Sequence, residues 1–156
     1  MGSPRLSTTP VLHDGQLLIA LLHGDMRGPG TSVGHIISID PASGDENWLH
    51  VRETEATREN RHSYASPAIC PGDDGDLLLI HGGDYLTAHA LSDGSEVWRC
   101  GGLNAVDSYN PFLRFVASPV ARGDLVVVPS AKRGPVLGLS PRQSGDVSAK
   151  ELAWTA

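Results

Sequence analysis

Ile39-Asp40-Pro41-Ala42-Ser43-Gly44-Asp45-Glu46-Asn47-Trp48 and Ala90-Leu91-Ser92-Asp93-Gly94-Ser95-Glu96-Val97-Trp98 follow one plan. An alternating segment ends, a polar turn carries a glycine, and a tryptophan stands four residues beyond it. Glycine admits the positive φ that a tight turn requires, and tryptophan supplies a large apolar body with one N–H that needs an acceptor. A third copy is looser, with Val136-Leu137-Gly138-Leu139, then Gly145, then Trp154 nine residues on. The spacing predicts an insertion in that last hairpin, around Val147 to Glu151.

Working outward, each copy has the same upstream half. Asp14-Gly15 precedes Leu17-Leu18-Ile19, Gly75-Asp76 precedes Leu77-Leu78-Leu79-Ile80, and Gly123-Asp124 precedes Leu125-Val126-Val127-Val128. These are turn signals followed by apolar runs short enough to be strands buried on both faces. Earlier still stand Thr9-Pro10, Ser66-Pro67 and Ser118-Pro119. Proline contributes no ladder donor, so it belongs at the mouth of a strand. Pro10, Pro67 and Pro119, and likewise Trp48, Trp98 and Trp154, recur roughly 50–57 residues apart, a period that fits four short strands per unit. Eighteen glycines and eleven prolines are spread along the chain, and no window holds a helical period.

The expectation is an all-β chain, a partial β-propeller of three blades, each a four-stranded antiparallel sheet. The whole chain, 1–156, reads as one such unit, with blades at about 8–52, 64–102 and 115–156. Pro10, Pro67 and Pro119 open the inner strands, and Trp48, Trp98 and Trp154 wedge the outer ones against neighbouring blades. Three blades cannot close a ring, so the chain reads as part of a larger propeller or as a subunit completed by self-association.

Ser118-Pro119, then Gly123-Asp124-Leu125-Val126-Val127-Val128, then the Gly-to-Trp turns quoted above resemble the PQQ-like repeat of quinoprotein propellers. The likeness covers nearly the whole chain. Members of that superfamily include quinone-dependent alcohol and sugar dehydrogenases, the non-catalytic scaffold lipoprotein of outer-membrane protein assembly, and other secreted propellers. A kelch repeat is the nearest rival, through His81-Gly82-Gly83 and Trp98, but the double glycine does not recur at His23-Gly24 or Pro129-Ser130. The resemblance implies a periplasmic or extracellular location, although Met1 to Pro10 show no signal peptide.

Composition narrows the function. A formal charge of −6 argues against nucleic acid, and no stretch approaches the roughly 18–20 apolar residues of a membrane span. Cys70 and Cys100, thirty apart, read as free buried thiols and cannot form the vicinal disulfide that stacks on the quinone in the dehydrogenases. The inner strands, Pro10 to His13, Pro67 to Cys70 and Pro119 to Arg122, carry no carboxylate set for a general base. No catalytic residue is therefore assigned, and no cofactor. PQQ and calcium enter only under the alternative of a quinoprotein dehydrogenase fragment whose catalytic residues lie outside this chain.

Two segments remain for binding. Arg58-Glu59-Asn60-Arg61-His62-Ser63-Tyr64 and Asn104 to Arg114 feed the inner strands, on the face where propellers usually hold ligands. Arg61, His62, Tyr64, Tyr109, Asn110 and Arg114 are the partner-facing candidates, for a protein or a polysaccharide, with blade-bridging hydrogen bonds as their other use. The interleaved charges of Arg52, Glu53, Glu55, Arg58, Glu59 and Arg61 read as a solvated loop. No metal site is assigned; His23 and His35, opposed across a hairpin if it is symmetric about Pro29-Gly30, lack a third ligand. A turn at Gly82 to Asp84 would pair His81 with Tyr85.

Overall fold

The computed structural model describes residues 8–22, 32–105, 107–130, 134–148 and 154–155. Blade 1 is β1 (Val11–His13), β2 (Gln16–Leu21), β3 (Ser32–Ile39) and β4 (Glu46–Thr54), hydrogen-bonded in that order. Blade 2 is β5 (Ala68–Pro71), β6 (Asp76–Gly82), β7 (Tyr85–Ala90) and β8 (Glu96–Cys100). Blade 3 is β9 (Val120–Arg122), β10 (Leu125–Pro129), β11 (Val136–Leu139) and, at its outer edge, β13 (Trp154–Thr155). A 3-10 turn, Arg58–Arg61, lies between blades 1 and 2. No helix among the described residues is long and apolar enough to cross a membrane.

Each inner strand begins one residue after its proline, at Val11, Ala68 and Val120. The residue before the proline joins the blades. The Thr9 amide donates to Ser66 Oγ at 2.9 Å, and the Ser66 amide donates to Ser118 Oγ, also at 2.9 Å. At the outer ends the tryptophans do the same. Trp48 Nε1 donates to the carbonyl of Leu91 and Trp98 Nε1 to that of Pro141, each at 2.9 Å and each 43 residues ahead. A Cβ on Gly94 would fall 2.6 Å from the Trp48 ring, so that glycine serves both its turn (φ +75°) and the close approach of the neighbouring blade.

Between these seams lie two apolar layers. Leu18, Ala20, Leu22 and Ile36 of blade 1 meet Leu78 and Ile80 of β6. Leu77 and Leu79, on the other side of the same strand, join Trp98, Val126, Val128, Leu137 and Leu139 against blade 3. The run Leu77 to Ile80 is thus buried on both faces, as a strand between two blades must be. Cys70 and Cys100 are free and buried in the second layer. Burial pushes the Cys70 thiol up to about 12 and raises that of Cys100.

The third blade departs from the expected hairpin. After β11 the chain crosses to blade 2, where β12 (Gly145–Asp146) pairs in parallel with β8, Gly145 opposite Trp98 and Asp146 opposite Arg99. The Val147 amide donates to the Arg99 carbonyl at 2.8 Å and its side chain is buried. Ser148 Oγ accepts the Gly101 amide at 2.6 Å. The insertion therefore straps the outer edge of blade 2, which becomes a five-stranded sheet, while residues 149–153 lie outside the described set. An open edge offers unpaired amides and carbonyls, and this one is covered by chain from the next blade.

Two further readings are corrected. The β6–β7 hairpin turns on Gly83 (φ +60°) and Asp84 (φ +68°), so His81 pairs with Leu86 and Gly82 with Tyr85. Both central residues have the positive φ of the turn that matches strand twist. The charged run is not a solvated loop throughout. Arg52 lies on β4 facing blade 2 and is buried, as is Arg61.

Candidate functional site

The links from β4 to β5 and from β8 to β9 emerge at the same end of the blades as the β6–β7 hairpin tip. Asp84 at that tip organises both. Its carboxylate accepts Asn60 Nδ2 at 3.0 Å, Asn104 Nδ2 at 3.2 Å and the Tyr109 hydroxyl at 2.7 Å. The Tyr109 oxygen in turn accepts the Thr57 amide at 3.0 Å. Burial raises the Asp84 pKa, and the donors from Tyr109, Asn104 and Asn60 oppose that rise. Three hydrogen bonds to one half-buried carboxylate thus tie the β6–β7 tip of blade 2 to the chain at both blade junctions.

Arg52 performs a parallel task beneath the tip. Its Nε donates to Thr87 Oγ1 and its Nη2 to the Gly82 carbonyl, both at 2.8 Å, and the Tyr85 carbonyl lies at 3.3 Å. Burial lowers its pKa to about 10, so it remains a cation held by neutral acceptors. Ser63 forms an isolated parallel bridge to Phe115, its amide donates to the Leu22 carbonyl, and its hydroxyl donates to the His81 carbonyl.

The structure brings the two candidate segments side by side. The Glu59 amide donates to the Pro111 carbonyl at 3.1 Å, the Tyr64 amide to the Phe115 carbonyl at 3.0 Å, and Arg114 Nε to Glu59 at 2.7 Å. Most of the polar capacity of the six candidates goes into this stitching. Arg61 is buried and donates to the Ala56 carbonyl. His62 is half-buried, and desolvation lowers its pKa against the pull of Glu59. The Tyr109 hydroxyl is held by Thr57 and Asp84, and the Asn110 carbonyl accepts both Asn60 and Asn104. Tyr64 and Arg114 keep exposed surface.

These loops also expose apolar side chains among polar ones such as Asp107 and Arg114. Phe112 is 57% exposed and Val116 61%, and Tyr64 and Tyr109 are partly exposed. Arg58, held at φ +50°, sets its guanidinium 5.6 Å from the Phe112 ring centre. Sequence reasoning held Asn60, Asn104 and Phe112 within its two segments without singling them out, and passed over Val116 and Asp84, the latter read only as part of a turn. The one available cue for Asp84 was its place in a two-residue Gly-Asp turn, where aspartate tolerates positive φ.

The opposite face carries a cavity of about 750 Å³ lined by Asp14, Asp73, Asp76, Leu91, Pro141 and Arg142 among others. Two side-chain pairs form within it. His13 Nε2 meets Asp76 at 2.9 Å, and Arg142 reaches Asp73 at 3.0 Å and the Gly72 carbonyl at 2.9 Å. Among the described residues no three His, Cys, Asp or Glu side chains gather as a metal site. His35 stands opposite Leu21 on β2 and Val51 on β4, which corrects the symmetric pairing with His23; His23 itself lies outside the described residues.

No family model matches the sequence, and no curated protein matches it. Among solved structures the chain is similar to the crystal structure of BamB from Moraxella catarrhalis, with a TM-score of 0.58 and 17% sequence identity. The match covers 96% of this chain. This is part of a β-propeller. The chain spans 37% of that BamB chain, so the likeness concerns the fold of three blades and not the whole of the larger molecule.

Proposed function

We propose that the chain is a non-catalytic propeller module that holds a protein partner on its loop face, in a periplasmic or extracellular setting. The observation that carries this reading is the exposure of Phe112 and Val116 on a loop that Asp84 and Glu59 tie to its neighbour. Exposed aromatic side chains on a pre-ordered surface lose little conformational entropy on binding, which suits them as anchors. The polar side chains that would grip a sugar are already engaged, the Tyr109 hydroxyl with Asp84 and Asn110 Oδ1 with the Phe112 amide, which favours a protein over a polysaccharide. The PQQ-like resemblance supports a scaffold role, since that superfamily includes the scaffold lipoprotein of outer-membrane assembly.

A photo-crosslinking amino acid at position 112, with Asp124 on the opposite face as control, tests the reading in an envelope extract of the source cells. The expected result is a discrete protein adduct from position 112 alone, competed away by unmodified chain and lost when Val116 is also changed to Asp. Equal adducts from both faces would refute it. So would protein-bound quinone absorbance with dye-linked alcohol oxidation after incubation with PQQ and Ca²⁺.

A further inference from the structure

The two internal joints define a register that the outermost faces also carry. At the inner end, each joint is a backbone amide from the Thr/Ser before a proline, donating to the hydroxyl of its counterpart in the next blade. At the outer end, each joint is a tryptophan N–H donating to a carbonyl one or two residues past the third strand of the next blade. Blade 3 has both donors, the Ser118 amide and Trp154 Nε1. Blade 1 has both acceptors. Thr9 carries the hydroxyl, and Pro41 is the counterpart of Leu91 because Asp40 and Gly44 make the same turn bonds as Ala90 and Gly94. None of these four groups has a hydrogen-bond partner among the described residues.

The surfaces between them match in kind. Alternation along the strands puts Leu17, Ile19, Ile37, Leu49 and Val51 of blade 1 on one free face, with Leu49 and Val51 43% and 46% exposed. On blade 3 the same logic puts Val120, Val127, Val136 and Trp154 on the opposite free face, Trp154 being 40% exposed. Gly138 lies beneath the Trp154 ring. The tryptophan therefore stands proud of blade 3 much as Trp98 would without blade 3 over it.

We infer that the trailing face of blade 3 docks onto the leading face of blade 1 of a second copy, with Trp154 Nε1 on the Pro41 carbonyl and the Ser118 amide on the Thr9 hydroxyl. The occupant is a second copy because this chain itself carries both halves of the joint in the right order. The contact is heterologous, so each copy uses two different surfaces and leaves one of each open until a ring closes. This inference rests on the blade joints and is independent of the loop-face proposal.

Complementation between variants tests it. Trp154→Ala removes the donor on one face, and Val51→Glu places a charge on the other, both at exposed positions that leave the fold intact by circular dichroism. The unaltered chain should associate, by light scattering after size exclusion, in whole multiples of its mass. Each variant alone should associate more weakly by about tenfold or more. An equimolar mixture should form a heterodimer, because the intact trailing face of the Val51→Glu chain meets the intact leading face of the Trp154→Ala chain. A chain that stays monomeric at the highest soluble concentration overturns the inference, as does a mixture no better than either variant. Phe112→Asp, which disables the loop-face proposal, should leave the association unchanged.

Discussion

Replacing each repeat tryptophan by alanine should cost stability in the order Trp98, Trp48, Trp154, with steps large enough to resolve. Trp98 is 1% exposed, lies in the apolar layer between blades 2 and 3, and donates to the Pro141 carbonyl. Truncating a buried tryptophan costs about 3–5 kcal/mol, and the lost hydrogen bond is worth about 1 kcal/mol within that range. Trp48 makes the same bond to Leu91 but is half-buried, which scales its loss to about 2–3 kcal/mol. Trp154 has no blade over it among the described residues and 40% exposure, so its loss in dilute solution is about 1 kcal/mol or less. Urea unfolding followed by circular dichroism measures all three. With a slope of about 2 kcal/mol per molar urea, Trp98→Ala moves the midpoint by about 2 M and Trp154→Ala by less than 0.5 M. Equal shifts for the three, or a larger one for Trp154, would refute the claim that blade stacking sets the role of each tryptophan.

Three further outcomes follow from single groups. Asp84→Asn keeps a residue that tolerates the left-handed turn but weakens the carboxylate's hold on Asn60, Asn104 and Tyr109. Stability should fall by about 1–2 kcal/mol, and amides in 104–114 should exchange faster while those of β6 and β7 do not. His81 and His89 are buried, and desolvation lowers them to about 4 and about 3 from an ordinary value of 6.5. The unfolded chain therefore binds these protons first, and the stability present above pH 6.5 is lost as pH falls toward 4 and then 3. The slope is about 1.4 kcal/mol per unit for each histidine, and His89→Gln should remove its share in urea titrations at stepped pH. Cys70 and Cys100, buried and shifted upward, should resist a thiol reagent at pH 8 in the native chain and react fully in urea.

The repeat was legible because its elements answer to local chemistry. Proline before a strand, glycine in a positive-φ turn and an apolar run buried on two faces each leave a mark within a few residues. The joints were half-legible. Trp48 and Trp98 were read as wedges between blades, which they are, but the acceptors at Leu91 and Pro141 are main-chain carbonyls without a residue signature. The recurrence of Thr9, Ser66 and Ser118 gained its reason only with the inter-blade bonds. The insertion after Gly145 was placed correctly in number and wrongly in space, because nothing local says that Gly145 and Asp146 will pair with Trp98 and Arg99. Arg52 was misread for the same reason. Its burial depends on the carbonyls of Gly82 and Tyr85, which strand register brings near and charge pattern does not announce. At the candidate site, the two loops singled out from sequence lie side by side. Asp84, which locks them, is three-dimensional information.

The central claim is that three blades stack through two made joints and leave a third unmade. Hydrogen exchange of the three indole N–H groups, read by NMR on chain labelled at tryptophan, addresses it directly. In dilute solution the account predicts strong protection at Trp98, intermediate protection at Trp48, and fast exchange at Trp154. Comparable protection at all three, or fast exchange at Trp98, would contradict it.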